Sequence, residues 1–306
     1  MGHIGTIIEK NRQALGLSRK ELSENICSEK HIYFIEKGER SPSANMLKQL
    51  SERLGVNLFE FYQYIDCQEP FEVKEKMEQF NISRINFDFH SLKKLLTEAE
   101  NMPDFKNKPW IYEICFNRIY CEVYGENQLK ESIPQLEKIL EEISEKKVDE
   151  LFIANVYAAL SSCYMAAGDK EKAKHSALTA CKIFQKKHKV EMYNRIIVNV
   201  LAAYYVNGEY DNVIKFGNNA LKIKKDKYSY ARIHYIYVFM SLSYYGKNMN
   251  KEAYKLLEKA IYFLLIDCRP TDVSHMAMIP EFNEMLEYFA DSDIVREFRE
   301  KYNTCF

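Results

Sequence analysis

Residues 17–38, LSRKELSENICSEKHIYFIEKG, contain two short helical patterns separated by a turn, and they decide how the N-terminal part of the chain folds. Ser18 opens a Ser-x-x-Glu capping box, which starts a helix that we expect over 19–26. Ser28 can cap a second helix over 29–37, because its hydroxyl oxygen can accept a hydrogen bond from the first turn. A glycine directly after this second helix ends it. The stretch therefore predicts two short helices joined by a tight turn.

The helical spacing of apolar residues continues on both sides of this pair. It predicts further short helices over 4–15, 44–54 and 58–65. Ile32 and Ile35 are placed to pack inward against Leu22 and Ile26. Five short helices within residues 1–65 predict a compact all-α domain.

This domain resembles a known family. Its core, turn and capping residues are similar to those of the phage-repressor type of helix-turn-helix: Ile8, Arg12, Leu17, Ser18, Leu22, Ser23, Ile32, Ile35, Glu36, Lys37, Gly38, Arg40, Ser41, Pro42, Ser43, Leu47, Leu50, Leu54, Gly55 and Val56. Residues 22–27, with a turn one residue shorter than in most of that family, resemble the peptide-pheromone-responsive transcription regulators of Gram-positive bacteria, the PlcR, PrgX and Rgg type. The resemblance implies DNA binding and a buried ion pair between Arg12 and Glu36. The alternative for both residues is contact with phosphates or bases.

The resemblance also implies which residues contact DNA. The helix over 29–37 would lie in the major groove, with its outward side chains near base edges and the surrounding basic side chains near phosphates. The expected contacts are Arg19, Lys20, Ser28, Glu29, Lys30, Tyr33, Phe34, Lys37 and Arg40. Lys30 could read guanine, Glu29 cytosine and the two aromatic rings thymine methyl groups, although Phe34 could instead complete the core. Residues 1–65 contain nine basic and eight acidic residues, so we expect modest affinity per domain and binding as a dimer.

The composition favours long helices and excludes several classes of protein. Only 10 Gly and 7 Pro occur in 306 residues, and 47% of the residues are hydrophobic. The net charge of −1 gives no global attraction to nucleic acid or membranes, so DNA binding must rest on a local surface. The longest apolar run, 260–266, is too short to span a bilayer, and the N-terminus does not resemble a signal peptide. The 8 cysteines lack metal-binding spacing and fit a reducing cytoplasm.

Sequence motifs for catalysis are missing. We find no Gly-x-Ser-x-Gly elbow, phosphate-binding loop, dinucleotide fingerprint or His-Glu-x-x-His pair. The 7 histidines are scattered along the chain rather than grouped with carboxylates or cysteines. We therefore expect a protein that is not an enzyme and that uses no cofactor or metal.

The second part of the chain repeats itself after a short linker at 66–71. Turn glycines spaced by 43, 40 and 38 residues separate helical stretches, at Gly125, Gly168, Gly208 and Gly246. In the second helix of three units a small residue recurs every 40 residues, at Ala180, Ala220 and Ala260. The pattern is similar to the tetratricopeptide repeat, whose period is about 34 residues, with each helix extended. It predicts a second domain, 72–306, as a right-handed superhelix of tetratricopeptide-like helix pairs.

Counting back from the turn glycines places one set of residues on the concave inner face of these repeats. The set comprises Tyr112, Phe116, Asn155, Arg195, Asn199 and Tyr237. In the resembled regulators this face binds a short signalling peptide through asparagines, and Asn199 occupies the matching position. An asparagine amide can clamp a peptide main chain, and Arg195 can pair with a carboxylate. Alternatively, these polar residues cap neighbouring helices or bridge adjacent repeats.

The sequence thus predicts a cytoplasmic homodimer that binds an operator in double-stranded DNA and responds to a signalling peptide, as in quorum sensing. The repeat domain would provide both peptide sensing and dimerisation. The alternative is a DNA-binding regulator whose repeats dock a partner protein and bind no peptide. An alanine at Asn199 would abolish a peptide response, whereas a docking scaffold would be sensitive to charged residues spread over its outer surface.

Overall fold

A computed structural model describes residues 3–143, 148–187, 190–226, 232–266, 273, 276–277 and 279–302, and for 190–195 and 224–226 it describes the backbone alone. Within these residues every regular element is a helix, which confirms the all-α class. The α-helices are α1 (Ile4–Ala14), α2 (Arg19–Ser23), α3 (Glu29–Glu36), α4 (Ala44–Leu54), α5 (Pro70–Asn86), α6 (Phe89–Ala99), α7 (Trp110–Gly125), α8 (Ile133–Ile143), α9 (Glu150–Ala167), α10 (Lys170–Lys186), α11 (Val190–Val206), α12 (Tyr210–Asp226), α13 (Ile233–Gly246), α14 (Asn250–Ile266), α15 (Pro280–Tyr288) and α16 (Asp293–Lys301). Short 3₁₀ helices span Leu58–Tyr64 and Asp104–Lys106.

The chain divides into two compact units, residues 1–126 (unit 1) and 127–306 (unit 2). Unit 1 begins with a bundle of α1 to α4 and the first 3₁₀ helix around a fully buried apolar core that includes Ile8, Leu22, Ile32, Ile35 and Leu50. Burial of each such side chain contributes about 1.5–3 kcal/mol. The expected capping box forms at the start of α2, where Ser18 Oγ accepts from the Glu21 N–H at 3.1 Å and the Glu21 carboxylate accepts from the Ser18 N–H at 2.7 Å.

Helix α2 ends at Ser23, three residues earlier than the sequence predicts. Asn25 adopts a left-handed conformation with φ of 58°, which turns the chain towards α3. The guanidinium of Arg53, near the end of α4, stabilises this inter-helix turn through hydrogen bonds to its main chain. Its Nη1 donates at 3.0, 3.0 and 2.5 Å to the main-chain carbonyls of Glu21, Leu22 and Glu24. A contact between residues about thirty positions apart thus ends the helix.

The segment predicted as a linker, 66–71, is held to the rest of unit 1. The carboxylate of the buried Asp104 accepts hydrogen bonds from the N–H groups of Gln68 and Glu69 at 2.9 and 3.0 Å. Tyr64 stacks on Trp110 with ring centroids 5.2 Å apart. These contacts fix the path of the chain into α5, and the compact unit extends beyond them to residue 126. The domain boundaries at 65 and 72 remain a prediction.

In unit 2, the pairs α9 and α10, α11 and α12, and α13 and α14 are each joined by a short turn. The turn glycines Gly168 and Gly208 have φ values of 82° and 72°, which a residue with a side chain adopts only under strain. The predicted small residues of the second helices, Ala180, Ala220 and Ala260, are fully buried. This burial lets neighbouring helices approach, as tetratricopeptide-like pairing requires. Across the described parts of both units, none of the helices combines the length and the apolar character needed to cross a membrane.

Candidate nucleic-acid interface and repeat face

Helix α3 presents one apolar and one polar face. Ser28 caps it, since its Oγ accepts a hydrogen bond from the His31 N–H at 3.2 Å. Ile32 and Ile35 are fully buried in the core of the bundle, as predicted. The opposite face is open to solvent, and seven of the residues predicted to contact DNA are exposed there or beside it: Lys20, Ser28, Glu29, Lys30, Tyr33, Lys37 and Arg40.

Phe34 is half-buried between two cations. Lys30 Nζ lies 5.7 Å and Arg40 Cζ 5.1 Å from the centroid of its ring. Tyr33 meets the same ring edge-on at 5.6 Å. Cations held over an aromatic face lose part of their rotamer freedom, so Phe34 positions both positive charges beside the outward face of α3.

The last residue of α3, Glu36, is buried and binds two arginines. Arg12 Nε donates to Glu36 Oε1 at 2.6 Å, so the expected buried ion pair forms. Arg19 Nε donates to the other carboxylate oxygen at 2.6 Å, a hydrogen bond that raises the pKa of Arg19. Arg19 also lies 3.4 Å from Glu9 and 5.4 Å from the ring of Tyr33. Of the residues predicted to contact DNA, Arg19 is therefore the one most engaged within the protein.

In unit 2, Asn199 connects two neighbouring first helices of the repeats. From α11 its Nδ2 donates to the Ala158 carbonyl at 3.3 Å and to Ser162 Oγ at 3.1 Å, both on α9. Asn155 precedes these two residues by three and seven positions, so it shares their side of α9. Asn155 and Asn199 are both half-buried. The structure therefore brings the two predicted asparagines to one stretch of the repeat surface.

The other residues predicted to bind a peptide lie elsewhere or outside the described side chains. Tyr112 and Phe116 are only 3% and 1% exposed, in unit 1, because α7 packs against α6 and the second 3₁₀ helix. Tyr237 is half-buried and stacks on Phe263 at 5.9 Å. Arg195 lies in the part of α11 whose side chains the structure does not describe. The burial of Tyr112 and Phe116 takes their rings away from any surface of this conformation.

A second feature of unit 2 escaped the sequence analysis. A cavity of about 370 Å³ is lined mainly by tyrosines, glutamates and asparagines: Tyr205, Tyr210, Leu242, Tyr245, Gly246, Asn248, Asn250, Glu281, Glu284 and Tyr288. Three of its tyrosines lie within three residues of a turn glycine, Gly208 or Gly246. Tyrosines that recur beside the turn glycines are therefore the signal in the sequence for this cavity.

With this geometry established, residues 8–61 match a family model described as helix-turn-helix. Residues 8–61 are a helix-turn-helix domain. In it α3 occupies the place of the recognition helix, capped at Ser28 and held by the Arg12–Glu36 ion pair. No curated protein matches the chain as a whole.

Solved structures share the fold of the chain as well as its helix-turn-helix domain. PlcR from Bacillus thuringiensis, in complex with the peptide PapR7 and DNA, has a TM-score of 0.65 at 21% identity and covers 86% of this chain and 96% of its own. Apo PlcR has a TM-score of 0.51 at 18% identity, covering 87% and 94%. ComR from S. thermophilus, in complex with DNA and its signalling peptide ComS, has a TM-score of 0.51 at 16% identity, covering 99% of each chain. The chain thus combines a helix-turn-helix domain at 8–61 with the helical fold that it shares with these structures.

Proposed function

We propose that the repeat domain binds a short signalling peptide and that the bound peptide alters how the helix-turn-helix domain binds its operator. The observation that carries this proposal is the shared fold with PlcR, whose structure contains a peptide and DNA together. At such low identity the fold alone is comparable, so the peptide site must be argued from this chain's own residues.

The proposed peptide site centres on Asn155 and Asn199, and the sequence prediction adds Arg195, one turn before Asn199 on α11, and Tyr237 on α13. An asparagine amide offers a donor and an acceptor, the pair of groups that each residue of an extended peptide also offers. Asn199 currently donates to a carbonyl and to a hydroxyl that can rotate. A peptide carbonyl could replace the Ser162 hydroxyl as acceptor at little cost. Tyr112 and Phe116 are left out of this site because they are buried.

We propose that side chains on α3 and on the residues next to it contact DNA. Lys30, Glu29 and Tyr33 would face base edges, whereas Lys20, Lys37 and Arg40 would face phosphates. A single domain with nearly balanced charge binds weakly, so we propose a cytoplasmic homodimer that occupies two half-sites about 34 Å apart. A peptide that favours one conformation of the repeats would then favour one separation of the two recognition helices.

Calorimetric titration of the full-length protein with short peptides encoded beside its gene tests the proposal. We expect micromolar or tighter binding by one of them, and loss of that binding in Asn199→Ala. The matched control is Asn207→Ala, in the turn directly after the same helix. Its amide also crosses to another helix, donating to Lys170 O at 3.4 Å, but near the turn rather than beside Asn155.

If Asn199→Ala and Asn207→Ala lose peptide affinity equally and both unfold at lower temperatures, the two side-chain amides only link neighbouring helices. No binding by any candidate, with operator binding and fold intact, would favour repeats that dock a partner protein.

A further inference from the structure

The cavity in unit 2 described above, here called the tyrosine cavity, is lined by residues from five consecutive helices, α11 to α15. Tyr205 comes from the end of α11, Tyr210 from the start of α12, Tyr245 from the end of α13 and Tyr288 from the end of α15. Its volume of about 370 Å³ is within the range of small-molecule sites.

Close packing around one glycine shapes one wall of the tyrosine cavity. A Cβ atom at Gly246 would lie 2.9 Å from the ring of Tyr210, so only glycine leaves that ring in place. The Tyr210 ring lies 5.7 Å from that of Tyr205. Tyr245 meets Tyr288 edge-on at 5.7 Å. These contacts between rings give the cavity a defined form.

The position of Tyr288 is fixed further by a polar contact. Asn250 Nδ2 donates a hydrogen bond to its hydroxyl oxygen at 2.9 Å. The start of α14 is therefore joined to the end of α15 by two residues that line the cavity.

The charge of the tyrosine cavity is negative. Glu281 and Glu284 stand one turn apart on α15 and have no ion-pair partner among the described residues. Glu287, one turn further along, is paired with Arg299 at 2.8 Å. No lysine, arginine or histidine occurs among the described residues that line the cavity. Burial is the main cause that raises the pKa of Tyr205, and the nearby glutamates raise it further, as expected beside negative charges.

We propose that the tyrosine cavity binds an alkylammonium group. An ammonium offers three donors and no acceptor, and the cavity supplies carboxylate, phenol and amide oxygens that accept. The aromatic rings add attraction to a cation. The two sources of this chemistry are a lysine side chain or amino terminus of a peptide and a free diamine. The site is independent of the proposed peptide function, since neither Asn155 nor Asn199 lines it.

The oxygen atoms that line the cavity fit an alkylammonium better than they fit a metal ion. A Ca²⁺ site usually takes six to eight oxygen ligands, several of them carboxylates. The cavity offers only the two glutamates as charged ligands, and no group of three or more potential metal-ligating side chains lies together in the described residues.

Ligand-observed NMR titration of the full-length protein tests the proposal with defined probes. These are Nα-acetyl-lysine methylamide, its Nε-acetylated counterpart, 1,4-diaminobutane, 1-butanol and CaCl₂. We expect both ammonium compounds to bind, and acetylation of the lysine probe to weaken binding at least about tenfold, since acetylation removes the charge. Tighter binding of the lysine probe assigns the site to a peptide, and tighter binding of the diamine assigns it to a free amine.

The variants are chosen to keep the fold. Glu281→Gln combined with Glu284→Gln preserves side-chain size and should weaken ammonium binding at least about tenfold, as two nearby charges are lost. Glu287→Gln, on the same helix but outside the cavity, should leave the affinity within about twofold because exposed pairs contribute little. The proposal is wrong if the double variant binds as the parent does, if butanol or the acetylated probe binds equally, or if calcium alone binds. Thermal unfolding of each variant excludes loss of fold as the cause.

Discussion

Arg19, the first residue of α2, donates from Nε to the Oε2 atom of Glu36, the last residue of α3, at 2.6 Å. The two helices of the DNA-binding motif are thereby joined at the ends that are farthest apart along the chain. Arg12 binds the other oxygen of the same carboxylate, so α1 is joined to them as well. The orientation of the recognition helix relative to its neighbours thus depends on one buried carboxylate.

Removal of Arg12 should destabilise the helix-turn-helix domain strongly. Arg12→Ala leaves the buried Glu36 with one cation, and the loss of one partner from a buried pair costs about 3–5 kcal/mol, an upper limit here because Arg19 remains. Thermal and urea unfolding would measure the change. Lys48→Ala is the control, since its pair with Glu52 spans 3.9 Å and is exposed, and it should cost less than about 0.5 kcal/mol. Similar losses in both variants would contradict the assigned role of Glu36.

Arg53→Ala should loosen the turn between α2 and α3. A hydrogen bond from a charged donor contributes about 1.5–3 kcal/mol to the free energy of unfolding. Water replaces part of this contribution here because Arg53 is exposed. We expect a lower unfolding temperature and faster amide hydrogen exchange at residues 22–27. Arg296→Ala, which removes a cation paired with Asp293 on an exposed face of α16, should leave that exchange unchanged. Unaltered exchange in Arg53→Ala would mean that the turn holds without the guanidinium.

Lys37→Ala should weaken operator binding and reduce its dependence on salt. Each phosphate contact that is lost lowers the slope of log K against log salt concentration by about 0.9. Fluorescence anisotropy with operator DNA at several salt concentrations measures both quantities. Lys138→Ala in unit 2, equally exposed, should change neither the affinity nor the slope. A reduced affinity with an unchanged slope would place Lys37 away from phosphates.

Phe34→Leu should weaken DNA binding while preserving the fold. Leucine keeps the apolar volume but removes the ring over which Lys30 and Arg40 lie, and each exposed cation–π contact contributes about 0.5–1 kcal/mol. We expect an affinity about fivefold lower, as the two cations regain their rotamer freedom. Phe59→Leu, an exposed phenylalanine outside this cluster, provides the matched control. Equal effects of the two substitutions would show that the ring does not position the cations.

Unit 2 should become less stable in acid because the ion pair between Lys174 and Glu209 is lost there. The hydrogen bond from Lys174 lowers the pKa of Glu209 below its ordinary value of 4.5. Because the folded pKa is the lower one, the contribution of the pair is complete above the ordinary value and is lost as the pH falls through the folded value. Glu209→Gln should therefore be less stable than the parent at pH 7, by about 0.5 kcal/mol, and this difference should shrink steadily as the pH falls below the ordinary value of 4.5. A difference that persists unchanged in acid, measured by thermal unfolding, would rule out the charge as its cause.

Several features of the site could be predicted because they depend on residues close together in the sequence or on a single apolar face. The caps at Ser18 and Ser28 formed as expected. The recognition-helix core of Ile32 and Ile35 was read correctly from helical spacing. The Arg12–Glu36 pair, 24 residues apart, was available only through resemblance to a family, since spacing alone does not identify a partner.

The count from the turn glycines puts Asn155 and Asn199 on one side of neighbouring helices in unit 2, whereas its two positions in unit 1 are buried, and peptide binding at any of them stays a prediction. The two asparagines share one surface because α9 and α11 are successive first helices of regular repeats. Tyr112 and Phe116 are covered, since α7 packs against a 3₁₀ helix and α6 that do not follow the repeat. A periodic rule predicts the direction of a side chain along a helix, but not which neighbour covers it.

The sequence by itself determined the helix starts, the turns at Gly168 and Gly208, the buried faces and the helix-turn-helix class of the N-terminal domain. These follow from hydrogen bonds that span a few residues and from apolar side chains that recur at the helical period. Only the tertiary structure decided where α2 ends, how Asp104 holds the entry to α5, what Asn199 bonds to, and that tyrosines from four helices line one cavity. The physical reason is that each of these features needs contacts between residues about thirty or more positions apart, which form only when whole helices pack.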